Sequence, residues 1–334
     1  MFEGKTVLVT GGTGSFGRKF VKTILERYKP KKVIVFSRDE FKQYQMQKEF
    51  PREKYPNLRF FLGDIRDKER LYRAFEGVDY VIHAAALKHV PILEYNPSEA
   101  VKTNIYGAQN IINAAIDQGV KKVIALSTDK AVNPINLYGA TKLAMEKLLI
   151  AANAYTGSKE TTFAVVRYGN VVGSRGSVIP FFKELVAKGV KKLPITDPRM
   201  TRFWITLEQG VETVLFALKE SVGGEIFVPY IPSMKITDLA KAICPDCEWE
   251  IIGIRPGEKL HETLLSEEES MHAVRVKTPE GKTYFVILPQ FEFETKDLNK
   301  WKNFEKLPEG FMFRSDKNDW WLTVDELKEL IKEF

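Results

Sequence analysis

The stretch "LSTDKAVNPINLYGATK", residues 126–142, gathers side chains that can move protons. Tyr138 and Lys142 stand four residues apart, so on a helix they share one face. A phenol there can take or give the proton of a hydroxyl. It ionises near pH 10, however, and needs a neighbouring ammonium to bring that value down. Lys142 is expected to prepare Tyr138 in this way. Just ahead, Thr128, Asp129 and Lys130 set a carboxylate directly beside an amine. Such a couple sets an acid beside a base; the plainer alternative is a surface ion pair.

These groups need a reactant, and the start of the chain suggests which. "VTGGTGSFGRKF" (9–20) places Gly12, Gly14 and Gly17 in a GxGxxG pattern, and Gly11, Gly14 and Gly17 also fit GxxGxxG. Glycines so spaced allow a tight turn, close approach of a pyrophosphate to backbone N–H groups, and packing of a helix on its strand. Because the pattern follows a strand and opens a helix, it is expected to bind a dinucleotide, whose nicotinamide cation would also act on Tyr138. "VFSRDE" puts Ser37 and Arg38 roughly twenty residues past the last glycine, where the ribose is read. An acid at that point favours a free 2′-hydroxyl, whereas Arg38 can pair with a 2′-phosphate, so NADP is expected although Asp39 is adjacent. Asp64 and Ile65, after the third strand, are placed to meet the adenine; the other reading of Asp64 is a cap on the next helix.

The elements that must position these residues follow from the apolar runs. "TVLVT" (6–10), "KVIVFS" (32–37), "LRFFLGD" (58–64), "VDYVIHAA" (78–85), "KKVIALST" (121–128) and "TFAVVRYGN" (162–170) read as buried strands. Segments of helical length at 17–28, 67–75, 98–118 and 138–155 alternate with them. This predicts an α/β chain with a Rossmann-type doubly wound parallel sheet. Beyond 171 strands shorten and helices at 180–189 and 207–219 interleave, which predicts a smaller, mixed α/β C-terminal lobe. "VRVKTPEGKTYFVIL" (274–288) reads as a hairpin, and Phe291, Phe293, Trp301, Phe304, Trp320 and Trp321 as small-lobe core or a subunit interface. Residues 1–170 are assigned to the dinucleotide domain and 171–334 predominantly to the substrate lobe, with interleaving allowed.

Composition excludes several classes. Of 334 residues, 44% are hydrophobic and 28% charged, as in ordinary globular enzymes. The net charge of +6 is spread among interspersed signs, so "KPKK" (29–32) is solvated and no nucleic-acid partner is expected. No apolar stretch approaches the ~18 residues of a membrane span, so no membrane partner and a cytoplasmic location are expected. Cys244 and Cys247 in "CPDC" lack a second ligand pair or a nearby histidine, and read as a loop with two thiols and no metal.

Motifs along nearly the whole chain then resemble one family. "TGGTGSFG", "FSRDE", "HAAALKHVPILEYNP", "LSTDKAVNPINLYGATK", "VRYGNVVGSRGSVIPFF", "TDPRMTRFWIT", "GGEIFVP", "SMKITDLAKAI" and "IGIRPGEKLHE" are similar to the extended short-chain dehydrogenase/reductases. Within that family the resemblance is to nucleotide-sugar 4,6-dehydratases, and nearest to the configuration-inverting UDP-N-acetylglucosamine group that opens pseudaminic acid synthesis. Where retaining relatives carry Asp-Glu after the threonine, this chain has Asp129 and Lys130.

The resemblance implies oxidation at C4, loss of water across C5 and C6, return of hydride to C6, and inversion at C5. The implied product is UDP-2-acetamido-2,6-dideoxy-beta-L-arabino-hex-4-ulose. Tyr138 takes the O4 proton, neutral Lys130 takes the C5 proton, protonated Asp129 serves the departing 6-hydroxyl, and Thr128 holds the 4-oxygen. An amine can act so only if its pKa falls, which burial beside a cation promotes. The implied cofactor set is Gly11, Thr13, Gly14, Ser15, Phe16, Gly17, Ser37, Arg38, Asp39, Lys42, Asp64, Ile65, Ala85, Lys88, Asn104, Tyr138, Lys142 and Val171. Asn104 resembles the asparagine that relatives place near the nicotinamide. The implied sugar-nucleotide set is Lys88, Asn170, Val178, Thr196, Arg202, Arg255, Glu258 and Asn318. Arg202 and Arg255 offer guanidinium forks to the diphosphate, Glu258 can accept from the ribose, and Asn318 would close from the tail. The glycines of "VVGSRGSVIP" are expected at the sugar diphosphate, His89 reads either as a base or as a packed loop histidine, and His261 reads as structural. A homo-oligomer is implied. A retaining dehydratase or a 4-epimerase is the alternative, although epimerisation at C4 gives Asp129 and Lys130 no task. A non-catalytic NADP-binding scaffold should have lost at least one of the five reacting side chains.

Overall fold

The computed structural model describes residues 1–172, 178–291 and 297–332. The chain opens with β1 (Thr6–Thr10), α1 (Ser15–Arg27), β2 (Lys32–Ser37), α2 (Glu40–Glu49), β3 (Leu58–Leu62), α3 (Lys68–Phe75) and β4 (Tyr80–His83). Next come α4 (Val90–Tyr95), α5 (Pro97–Ala100), a π-helical turn (Val101–Tyr106), α6 (Gly107–Asp117), β5 (Lys122–Thr128), α7 (Leu137–Ala152) and β6 (Thr162–Tyr168). The second half runs α8 (Val178–Ala187), β7 (Lys192–Ile195), β8 (Thr201–Phe203), α9 (Leu207–Glu220), β9 (Ile226–Pro229), β10 (Ser233–Lys235), α10 (Ile236–Ile243) and β11 (Glu248–Ile251). It continues through β12 (Thr263–Leu265), α11 (Glu267–Ser270), β13 (Ala273–Lys277), β14 (Thr283–Ile287), β15 (Glu305–Lys306), β16 (Phe313–Arg314) and α12 (Val324–Ile331).

Continuous apolar strands are what a parallel sheet covered on both faces requires, and every residue of β1 is buried. The strands stand in the order β15-β13-β14-β9-β6-β5-β4-β1-β2-β3 among the described residues. From β6 to β3 the pairing is parallel throughout, a doubly wound sheet whose order reverses between β1 and β4. The strand ends bordering that reversal form the crevice where such sheets bind ligands.

All six strands read from the first half form. Helices α2 and α4 lie outside the segments read as helical. In α2 only Gln43 and Met46 are buried, so the apolar period is missing; Asp39 starts it by accepting the Lys42 N–H at 2.9 Å. The hairpin forms as β13 and β14, but it does not stay in the smaller lobe. β14 pairs antiparallel with β9, and β9 lies parallel to β6, so late segments extend the large sheet. Trp301 is buried in the large core, with its indole N–H donating to Glu225 at 2.9 Å and Phe304 packed on it, rather than in small-lobe core. The smaller core is built from residues such as Leu193, Ile195, Trp204, Met234, Leu239 and Leu327. Phe293 and residues 173–177 of the glycine-bearing loop lie outside the described residues.

The reading of Cys244 and Cys247 as separate thiols is corrected: they form a disulfide. Cys244 caps α10, and the turn in which the Cys247 N–H reaches the Cys244 carbonyl brings the Cα atoms to 5.4 Å, within bridging range. Among the described residues no helix is long and apolar enough to cross a membrane.

Candidate active site

The glycine loop links β1 to α1 at the sheet reversal. Gly11 has φ +66°, and a Cβ there would lie 2.8 Å from the Ala85 backbone N, so the β1 and β4 loops touch only because it is glycine. A Cβ on Gly17 would lie 2.5 Å from Gly12 Cα, which explains the close packing of helix on turn. Gly14 stands at the N-cap of α1 with no side-chain cap, and the first turn, with Ser15 and Phe16, carries no acid. Backbone N–H groups there suit an anion, and the loop fits a dinucleotide diphosphate. Thr13 is buried beside them, its carbonyl accepting from Arg18.

Where the ribose is expected, Ser37 is held by Gln43, which donates to its carbonyl and hydroxyl at 3.0 and 3.1 Å. Arg38 is half exposed, 3.8 Å from Asp64. Asp39 is spent on α2, and Lys42 closes back on it at 2.9 Å. Asp64 does not cap α3; Asp67 does, accepting the Arg70 N–H. Asp64 is instead gripped by Arg66, and although burial opposes ionisation, Arg66 and then Arg38 hold its carboxyl below the usual range. Ile65 is buried against the site of Gly107, where a Cβ would come within 2.7 Å.

The side chains expected to react meet where β5 ends. Thr128 donates to Asp129 Oδ1 at 2.8 Å and caps the single 3₁₀ turn that carries Asp129 and Lys130. Lys130 Nζ lies 3.2 Å from that same oxygen, 3.4 Å from Glu262 Oε1, and 3.4 Å from Asn170 Oδ1. This is no surface pair: Asp129 is 1% exposed. Burial alone would favour a neutral amine, but Asp129 and Glu262 outweigh it and raise Lys130 above the usual lysine value. The expectation of a neutral Lys130 is therefore corrected: beside these two carboxylates it stands as the ammonium.

A second correction concerns the tyrosine. Burial pushes Tyr138 up to about 12, and the cation that opposes this is Lys130, with help from the Thr128 hydroxyl. Lys142 is turned away: its Nζ donates to the Leu126 carbonyl at 2.5 Å and meets Met145 Sδ at 3.2 Å. Burial lowers Lys142 to about 8, partly offset by Glu146. The two side chains share a helix, but the lysine anchors α7 to β5.

Asn104, in the π-helical turn, is also committed. Its amide exchanges hydrogen bonds with both backbone groups of Leu87 and donates to Thr141 at 3.0 Å, so it fixes the β4 loop against α7. In that loop desolvation, and then the like charge of Lys130, pull Lys88 below the usual lysine value. Asn136 caps α7 by accepting the Gly139 N–H and donates to the Gly257 carbonyl at 2.8 Å, stapling the "RPGEK" turn to the tyrosine helix. A Cβ on Gly139 would lie 2.1 Å from the Lys130 carbonyl O, so that contact needs glycine too.

Arg202, 8% exposed on β8, donates to the Thr201 and Leu260 carbonyls and lies 3.9 Å from Glu258 and 3.8 Å from Glu262. Arg255 is exposed, Val171 bridges to Ile205, Val178 packs on the smaller core, and Thr196 is half-buried after β7. Asn318 does not close over the site: its amide is buried, donating to the Ile231 carbonyl and Ser233 hydroxyl and accepting from the Trp320 N–H. His89 is not a packed loop histidine but is exposed ahead of α4; His261 holds Thr201 at 2.8 Å. Glu262 is the site residue the sequence reading missed. Its signal was a carboxylate opening the otherwise buried run "ETLL", which cannot be buried without a cation.

A family model described as "Polysaccharide biosynthesis protein" matches residues 7–281. The chain belongs to that family. A UDP-N-acetylglucosamine 4,6-dehydratase (inverting) of Campylobacter jejuni is 56% identical over 99% of this chain and 98% of its own length. A UDP-glucose 4-epimerase of Rickettsia massiliae is 43% identical over 99% of this chain and 96% of its own. Among solved structures, that of Pen from Bacillus thuringiensis superposes with a TM-score of 0.88 at 41% identity, covering 100% of this chain and 99% of that one.

Proposed function

We propose that this member of the family is an NADP-dependent UDP-N-acetylglucosamine 4,6-dehydratase that inverts C5. One observation carries the reading: a buried Asp129 and a half-buried Lys130 3.2 Å apart, beside Thr128 and Tyr138. The identity to the inverting dehydratase supports it, and C4 epimerisation would leave the couple without work.

NADP, when bound, supplies the acceptor for the C4 hydride and its return to C6. Tyr138 removes the O4 proton, with Lys130 and Thr128 stabilising its phenolate. The couple then needs Lys130 as a free amine and Asp129 as an acid. One proton moving from Nζ to the carboxylate provides both, with no net uptake. The amine takes the C5 proton, acidified by the C4 ketone, as Asp129 protonates the 6-hydroxyl leaving as water. That step restores the starting ion pair; once C6 has its hydride back, C5 takes a proton from solvent on the opposite face, while Tyr138 releases to solvent the proton it took from O4. Arg202 and Arg255 are assigned to the diphosphate, Glu258 to the ribose, Asn170 to the sugar, and Arg38 to the 2′-phosphate. The C5 stereochemistry and a downstream place in pseudaminic acid synthesis belong to the same reading, as do a homo-oligomeric state and a cytoplasmic location.

Proton NMR of the protein with UDP-N-acetylglucosamine in heavy water tests it. A 4-keto-6-deoxy product with deuterium at C5 and the L-arabino configuration is expected. A D-xylo product, or a C4 epimer alone, refutes the inverting reading.

A further inference from the structure

Glu262 is a charged group of the site to which the proposed reaction gives no task. It is 2% exposed, just before β12, and Ser315 clamps its backbone from both sides: the Glu262 N–H donates to Ser315 Oγ at 3.0 Å, and its carbonyl accepts the Ser315 N–H at 2.8 Å. The same Ser315 hydroxyl meets Thr201 Oγ1 at 2.6 Å, next to Arg202 in sequence. The carboxylate so fixed turns one oxygen to two cations. Oε1 lies 3.4 Å from Lys130 Nζ and 3.8 Å from Arg202 Nε, while Oε2 has no hydrogen-bond partner among the described residues. A buried carboxylate needs such cations to remain ionised, and these two belong to different parts of the site.

We propose that Glu262 is a positioning residue for Lys130, the shared counter-ion that fixes Nζ beside Asp129 and joins it to Arg202. The inference rests on the reading of Lys130 as the C5 base. Its negative charge favours the ammonium, and so sets the pH above which the couple loses the proton that Lys130 and Asp129 share. The other charged or titratable groups facing the pair are Asp129, Tyr138, Arg202, Lys88 and Lys259, with Glu258 beyond Arg202. Glu262→Gln leaves all of them in place and keeps the side chain's volume.

The test follows the titration of Lys130 itself, by NMR of lysine labelled at the ε position in the whole ligand-free chain, with the signal assigned by its loss in Lys130→Ala. In Glu262→Gln the midpoint is expected to fall by roughly 1–3 units, the usual effect of an opposite charge within a few ångströms. The alkaline limb of kcat for UDP-N-acetylglucosamine, where the couple loses the proton that Asp129 passes to the departing hydroxyl, should move to lower pH with it. A side chain that merely packs would lower kcat without moving the limb. Should Glu262→Gln fail to fold, Glu262→Asp carries the test, because withdrawing the charge by one methylene should lower the midpoint in the same direction by less. A Lys130 midpoint unchanged in the folded variants overturns the inference. The titration needs no turnover, so it is separable from the function: C5 exchange surviving in Lys130→Ala would remove the base reading alone.

Discussion

Arg167→Met should expose how the site's scaffold is held. Arg167 is fully buried on β6 and donates to Glu146 at 3.1 and 2.6 Å, to Glu269 at 2.8 and 2.9 Å, and to the Leu264 carbonyl at 3.1 Å. It thereby ties α7, which carries Tyr138, to α11 and β12. Methionine fills much of the volume but leaves both carboxylates without their cation. Breaking a buried pair this way costs about 3–5 kcal/mol, roughly a 10²–10⁴-fold change in the folding equilibrium. The loss should depend on pH. Burial works against an ionised Glu269, yet Arg167 and the Ser266 N–H hold its carboxyl below the usual range. Such a group stabilises the native state above its unfolded value near 4.3, and that contribution is lost as pH falls through the lower folded value. In the variant, burial raises Glu269 instead, so it takes up a proton on acidification and recovers stability. Urea unfolding followed by tryptophan fluorescence at pH 7.5 and 5.5 should show a gap from wild type that is smaller at the lower pH. A gap under about 1 kcal/mol at pH 7.5, the scale of an exposed pair, would refute the reasoning, as would a gap of equal size at both.

Lys130→Ala should still bind cofactor and UDP-sugar, read by calorimetry, while C5 deuterium exchange stops; full turnover would remove Lys130 from the mechanism. Arg38→Ala should weaken NADP far more than NAD in fluorescence titrations, and equal losses would refute the 2′-phosphate role. Gly11→Ala forces a side chain to φ +66° and into the Ala85 backbone, so dinucleotide affinity should fall at least about tenfold even where the protein folds. Unchanged affinity would place the diphosphate elsewhere.

Most of the parallel sheet was legible because its strands are buried on both faces and carry uninterrupted apolar runs. The glycine loop was legible for a similar reason, since Gly11 and Gly17 answer to backbone contacts that no other residue tolerates. What failed to show depended on orientation. The four-residue spacing of Tyr138 and Lys142 put them on one helix face, but the lysine's length lets it reach the Leu126 carbonyl instead of the phenol. The second reading of Asp64 is a cap on the next helix, but it is Asp67 that sits three residues before the N–H it serves, that of Arg70. Asn318 reads as a polar tail residue, yet its amide is consumed by the β9–β10 connection. Glu262 reaches Lys130 across a separation in sequence that no local pattern spans.

The pairing of β6 with β9 bears on how the chain is made. Val165 lies opposite Ile226, and its N–H donates to the Glu225 carbonyl at 2.9 Å. A growing polypeptide that has just completed β6 therefore presents an open strand edge until some sixty further residues have left the ribosome, at about 5–20 residues per second. Open apolar edges recruit other strands. Products that stop between Asn170 and Glu225 should accordingly aggregate rather than persist as a small working dinucleotide binder.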